Sequence, residues 1–240
     1  MLSVVIPAFN EEGRIGETLE KIRNYLGARG FAFEIVVVDD GSRDRTASIV
    51  GSLAAKDPRI RLLGGLTNKG KGASVRRGVL ASRGEAVLFS DADLSTPIEE
   101  VENLLPWLDD HPLVIASRSL PGSDVMVRQP AYREIMGRIF NMLVRALLLR
   151  GFIDTQCGFK LMTRRAADAI FPRQRINSFC FDVEMIVIAR RLGMQVKQVP
   201  VRWVNSRISR VHPVLDSAHM LLDLLRVKFY DIAGFYSRPV

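Results

Sequence analysis

The 240-residue chain holds only two cysteines, Cys157 and Cys180, and neither falls in a CxxC or Cys/His cluster. A disulfide framework and a thiolate zinc site are thereby excluded, and a reduced, cytoplasmic setting is expected. The leader pattern of a basic, then apolar, then small-residue segment is missing: Met1 runs straight into apolar sequence, so secretion is not expected. Long apolar runs are missing too. The longest, Ile139 to Leu149, is broken by Asn141 and Arg145 and falls well short of the ~20 residues of a spanning helix. Aromatic residues make up 8%, and Phe140, Phe152 and Phe159 are not interleaved with arginines as a base-stacking platform requires, which argues against nucleic acid as a partner. Acidic residues are in deficit, 26 against 34 lysines and arginines, for a net charge of +8. Such a surplus attracts a phosphorylated substrate, nucleic acid or an acidic membrane face. It is concentrated from 118 to 150, where Arg118, Arg128, Arg133, Arg138, Arg145 and Arg150 are opposed only by Asp124 and Glu134.

What is present is enough apolar residue, 48%, for one sizeable core. Leu2–Pro7, Ile35–Val38, Ile60–Leu63, Ala86–Phe89 and Leu113–Ala116 are short runs rich in β-branched residues, as buried parallel strands are. Between them Glu11–Leu26, Asp44–Ala55, Lys71–Ala81 and Ile98–Leu108 have helical spacing. The alternation predicts an α/β fold, a mainly parallel sheet with helices on both faces. After about residue 118 the pattern changes to a helix over Ala131–Leu149, a loop over Asp154–Lys160, a helix over Asp182–Leu192, a strand over Val196–Val201 and a final helix over Pro213–Ala233. We read 1–240 as a single domain, with 119–240 as an acceptor-side extension of the first half.

Ligands of such sheets bind beyond the carboxyl ends of the strands. Polar residues gather at those ends: Asn10, Glu11 and Glu12 after the first strand, Asp39 and Asp40 after the second, Asp91 and Asp93 after the fourth. Hard carboxylate oxygens there suit Mg²⁺ or Mn²⁺ on a diphosphate; each Asp taken alone reads first as a cap of the helix that follows, and three acidic sites on one edge reverse that preference. The segment Asn68-Lys69-Gly70-Lys71-Gly72-Ala73-Ser74 opens a helix, either as a phosphate-binding start or as a solvated one; it lacks the Walker A spacing.

In order and spacing, Pro7-Ala8-Phe9-Asn10-Glu11-Glu12, Asp39-Asp40-Gly41-Ser42, Asn68 to Gly72 and Asp91-Ala92-Asp93 resemble the signature of family 2 glycosyltransferases. Asp154 to Lys160 and Phe181-Asp182-Val183-Glu184 resemble the dolichyl-phosphate glucosyltransferase branch, with the dolichyl-phosphate mannosyltransferases close by. The resemblance implies a GT-A (Rossmann-like) fold, with 1–118 as the nucleotide-sugar half, and an inverting transfer of glucose from UDP-glucose to a polyprenyl or dolichyl phosphate. It implies that Pro7, Asn10, Glu11, Asp39 and Asp40 line or adjoin the nucleotide pocket, that Lys69 and Lys71 help hold the diphosphate, and that Asp91 and Asp93 flank it, with Asp93 the direct metal ligand. Ser95 stands where mannosyltransferases often carry a Gln, which leaves the third ligand open. Arg118 and Arg133 match arginines that hold donor and acceptor phosphates, and Arg207 and Arg210 are second-rank phosphate candidates.

A phosphate acceptor is already an anionic nucleophile and needs no strong base. Asp182 occupies the position of a catalytic base in relatives that act on hydroxyls, and reads equally as a helix N-cap. Helices Ala131–Leu149 and Pro213–Ala233 are candidates for peripheral contact with the cytoplasmic membrane face, Arg138, Asn141 and Arg145 lying against Ile135, Ile139, Phe140, Leu143 and Leu147. A soluble hydroxyl acceptor and a non-catalytic nucleotide-sugar-binding protein are the rival readings.

Overall fold

The computed structural model describes residues 1–127, 131–204 and 213–237, with the side chains of 127, 131–133 and 213–217 outside that description. Along the chain run β1 (Leu2–Ala8), α1 (Ile15–Ala28), β2 (Phe33–Asp39), α2 (Thr46–Ala54), β3 (Ile60–Gly64), α3 (Lys71–Ala81), β4 (Ala86–Ser90), α4 (Val101–Leu104), β5 (Leu113–Ser117) and β6 (Asp124–Val127). There follow α5 (Ala131–Leu147), β7 (Phe159–Thr163), α6 (Arg164–Ile170), α7 (Phe181–Arg191), β8 (Val196–Pro200), β9 (Arg202–Val204) and α8 (Pro213–Ile232).

Seven strands form one sheet in the order β3-β2-β1-β4-β7-β5-β8. All pairings are parallel except those of β7, which is antiparallel to both β4 and β5. Side chains alternate across the pleat. Val4, Ile6, Ile35, Val37, Leu88 and Val114 enter one core with α1 and α4, while Val5, Val36, Val87, Phe89, Leu113 and Ile115 enter the other with α3, α6 and α7. The expected α/β sheet with helices on both faces is therefore observed. A second, two-stranded sheet pairs β6 with β9.

Three elements differ from the sequence reading. Phe159 and Lys160, placed in a loop, begin strand β7. A lysine in a five-residue run hides a strand whose every member up to Met162 is buried. The Ile98–Leu108 helix is divided into a 3-10 turn, the single α turn of α4, and another 3-10 turn over Leu105–Trp107. Pro106 lacks the amide that would carry the helix onward. The strand expected over Val196–Val201 ends at Pro200, and Arg202–Val204 leaves the main sheet to pair with β6. In α5, Phe140, Leu143, Val144 and Leu147 pack inward, whereas Ile135, Ile139 and Met142 remain exposed. Among the described residues no helix is long and apolar enough to cross a membrane.

Candidate active site

A cleft of about 1160 Å³ opens at the carboxyl ends of β1, β4 and β5 and is closed on the far side by α8. One wall carries Pro7, Glu11, Arg14, Asp40, Lys71 and Asp91. Asn10 and Asp39 act behind that wall. Asn10 adopts φ 54°, a left-handed conformation Asn tolerates, and its Oδ1 accepts from Arg43 N at 2.8 Å while its own amide donates to Ser42 Oγ at 2.8 Å. The two strand-end loops are thereby stapled together, and Asp39, buried, accepts from Ser42 N at 3.3 Å.

The glycine-rich turn before α3 is held by the protein itself. Both oxygens of Asp40 accept from this turn, from Lys69 N and Gly70 N at 2.9 Å each. Gly72 N and Ala73 N donate to Asn177 O at 2.7 and 3.2 Å, and Ser74 N to Gly70 O at 3.1 Å. Gly70, at φ 98°, and Gly72 are required because a Cβ at either would collide with the backbone of 176–178. Five amides of the expected cradle are thus committed to internal bonds, and the turn offers the cleft the Lys71 ammonium beside Asn68 and Ser74. Lys71 Nζ lies 2.7 Å from Asp91 Oδ1 and 5.3 Å from the Phe89 ring centroid. Burial works against its charge, yet Asp91 and Asp182 hold its proton more firmly than in an ordinary lysine. The Lys69 side chain is exposed and does not line the cleft.

The Asp91-Ala92-Asp93 segment is pinned from three sides. Asp91 N donates to Gly158 O at 3.0 Å, buried Thr18 of α1 donates through Oγ1 to Ala92 O at 2.6 Å, and Ser95 N donates to Asp93 Oδ1 at 2.9 Å. Leu94, at φ 45°, sits in a region costly for an L side chain, on the order of 1 kcal/mol or more. Burial, and then the neighbouring Asp91 carboxylate, raise the pKa of Asp93 above the usual range. A crowded carboxylate pair of this kind fits a divalent cation, which would relieve the repulsion. Among the described residues no group of three or more His, Cys, Asp or Glu gathers for a metal, so Asp91 and Asp93 stand as a two-carboxylate pair.

Across the cleft, Arg118 follows β5. Its Nε and Nη2 donate to Asp154 Oδ2 and Oδ1 at 2.7 and 2.8 Å, and the guanidinium lies 5.5 Å from the Trp203 ring centroid. Although Asp154 is buried, Arg118 holds its pKa down to about 2. Of the other expected residues, Asp182 lies inside the first turn of α7 rather than capping it, and pairs with Lys160. Arg133 stands on α5 with its side chain undescribed, and Arg207 and Arg210 lie outside the described residues.

The α8 wall was not anticipated from sequence. His219, Leu222, Asp223 and Arg226 line the cleft, Asp223 accepting from Ser178 Oγ and from Arg226 Nη1, the latter at 2.8 Å. The only signal was their i, i+3, i+4, i+7 spacing. Gln156 and Trp203 also line the cleft without having been singled out.

The model of the family described as "Glycosyl transferase family 2" matches residues 3–171. The chain is 41% identical to a dolichyl-phosphate beta-glucosyltransferase of Trichomonas vaginalis over 97% of this chain and 72% of that protein. It is 37% identical to the dolichyl-phosphate beta-glucosyltransferase of Dictyostelium discoideum, over 98% and 76%. Among solved structures, Mycobacterium tuberculosis glucosyl-3-phosphoglycerate synthase in complex with Mn²⁺, UDP-glucose and phosphoglyceric acid matches with a TM-score of 0.69 at 21% identity, over 95% of this chain and 80% of that one.

Proposed function

We propose, from the premise that this chain belongs to glycosyl transferase family 2, that it transfers glucose from UDP-glucose to the phosphate of dolichol or a related polyprenol, with inversion at the anomeric carbon. The observation that carries this reading is the 41% identity, over nearly the whole chain, to a protein named for that reaction. The chain is a hexosyltransferase with a GT-A fold.

The cleft supplies chemistry suited to it. A divalent ion, Mg²⁺ or Mn²⁺, held by Asp91 and Asp93 would neutralise charge on the departing diphosphate. Lys71 places a second positive charge at the same edge, within reach of Asp91. Pro7, Glu11 and Asp40 border the nucleotide, while Asn10 and Asp39 fix the loops that carry them and Lys69 contributes the backbone that Asp40 holds. On the acceptor side Arg118, oriented by Asp154 and Trp203, faces the incoming phosphate, and Arg133, Arg207 and Arg210 are further candidates for that phosphate on their sequence positions alone. A phosphate oxygen attacks without prior deprotonation, so positioning and charge control suffice and no general base is demanded of the protein.

The acceptor resides in a membrane, and the second half has a surface fit to meet one. Ile135, Ile139 and Met142 of α5 and Leu221, Leu225, Phe229 and Ile232 of α8 are exposed, with Arg138 and Arg145 among them. Apolar side chains interspersed with arginines suit peripheral attachment to an anionic, cytoplasmic-facing leaflet.

The test is transfer of radiolabel from UDP-glucose into organic-extractable lipid by purified protein with Mg²⁺ or Mn²⁺ and dolichyl phosphate. Label that disappears with EDTA is expected. Transfer only to soluble acceptors, or nucleotide binding without turnover, would replace this reading with one of its rivals.

A further inference from the structure

Beneath the cleft floor lies a charged pair that does not line the cleft. Lys160, in the middle of the main sheet, is wholly buried, and its Nζ donates to Asp182 Oδ1 and to Cys157 O, the latter at 2.7 Å. A buried lysine on a central strand is a poor choice for stability, since apolar residues of similar volume are usually as good or better there. Its value lies in what it grips.

Cys157 belongs to the short loop 154–158, which touches both sides of the cleft. At one end Asp154 holds the Arg118 guanidinium by two hydrogen bonds and accepts Arg118 N at 2.9 Å. At the other end Gly158 O accepts Asp91 N at 3.0 Å, and a Cβ on Gly158 would overlap the Asp91 carboxylate. The loop therefore spans from the acceptor-side cation to the donor-side carboxylate. Asp182, the other partner of Lys160, stands at the start of α7, just after the segment in which Asn177 O takes the amides of Gly72 and Ala73.

We propose that Lys160 and Asp182 are a positioning pair: by tying loop 154–158 to the start of α7 they set the separation between Arg118 and the Asp91/Asp93 carboxylates, and so the distance over which the acceptor meets the donor. The proposal rests on the glycosyl-transfer reading above. It assigns Asp182 no proton transfer, because the residue is 3% exposed, is absent from the cleft lining and is engaged by Lys160.

The experiment compares wild type with Lys160→Met, Asp182→Asn and the double variant, reading melting temperature, kcat, KM for UDP-glucose and hydrogen exchange of the 156–158 amides. Lys160→Met alone strands a buried carboxylate and is expected to lose stability and turnover together. The double variant removes both charges in nearly the same volume. It is expected to recover most of the melting temperature while kcat stays down about 100-fold, the scale of a small misplacement of reacting groups. KM for UDP-glucose should move less than about threefold, and exchange at 156–158 should rise. Asp182→Asn, which keeps an acceptor for Lys160, should cost less than about tenfold, against 10²–10⁴ for loss of a general base.

Recovery of both stability and kcat in the double variant, or unchanged exchange at 156–158, would reduce the pair to a structural role. A loss beyond about 100-fold in Asp182→Asn would make the carboxylate a base instead. That single variant decides the matter should the double one fail to fold. Turnover is measured with whichever acceptor the wild type uses, and exchange needs no acceptor, so an error about the acceptor and an error about the pair give different results.

Discussion

The two halves of this molecule differ in how many large apolar side chains they leave in the open. In residues 1–118 the polar groups around the cleft are engaged by the protein: Asp40 by two amides, Lys71 by Asp91, Asn10 by the loop after β2. In the second half the outward faces of α5 and α8 leave large apolar side chains in the open, Ile232 at 72% exposure and Phe229 at 63%. The first half is built to receive a small charged molecule into a prepared site. The second half offers the apolar surface that the membrane contact proposed above would use. A transferase that joins a water-soluble donor to a lipid-borne acceptor needs both kinds of surface.

Substitutions that separate the halves test this contrast. The largest effect is expected from Asp93→Ala, which should lower transfer by about 10³-fold in the radiolabel assay. Its melting temperature should hold or rise slightly, because the change removes a crowded, half-buried carboxylate. Activity within tenfold of wild type would take the metal away from Asp93. A smaller effect is expected from Ile139→Glu, Leu225→Glu and Phe229→Glu combined: flotation with anionic vesicles should vanish and transfer to lipid should fall about tenfold, with UDP binding unchanged. Wild-type flotation preserved in the triple variant would remove the membrane from this face.

The smallest effect concerns the tie between the halves. Asp154 titrates near pH 2 when folded and near 3.9 when unfolded, so its pairing with Arg118 adds stability that is complete above about pH 5. As pH falls through 4 toward 2 that contribution, about 2–3 kcal/mol, should be lost. Asp154→Asn should lack this part of the acid limb in urea melts, and identical acid slopes would show that the pair adds nothing.

The first half was legible because its strands are continuous apolar runs and each is followed by the polar residue that the cleft uses. Asp91, Asp93 and Lys71 were visible this way. The rest of the site was hidden by the same physics that made these plain. Lys160 reads as a solvent residue, since a charge inside a strand is recognisable only once its partner, Asp182, is brought beside it across 22 residues. Asp40 and Asn68 to Gly72 were seen as two separate motifs, and the bonding between them, carboxylate to amide rather than amide to ligand, depends on a turn that sequence does not draw. The α8 residues His219, Asp223 and Arg226 belong to an amphipathic helix whose polar positions look like any solvated face until the cleft is found beneath them.

The position of β7 bears on how the chain is assembled. β5 bonds in the main sheet only to β7 and β8, both of which follow it in sequence, and it does not touch β4. As the chain leaves the ribosome, β1 to β4 can close into a parallel unit by residue 90, but residues 113–117 must wait for 159–163 to arrive. During that interval β4 presents an open edge ending in Phe89 and Ser90, next to the acidic residues of the site. Synthesis from 118 to 158, the length of chain that contains α5, is therefore the stage at which the β4 edge still lacks its partner strand and is open to wrong ones.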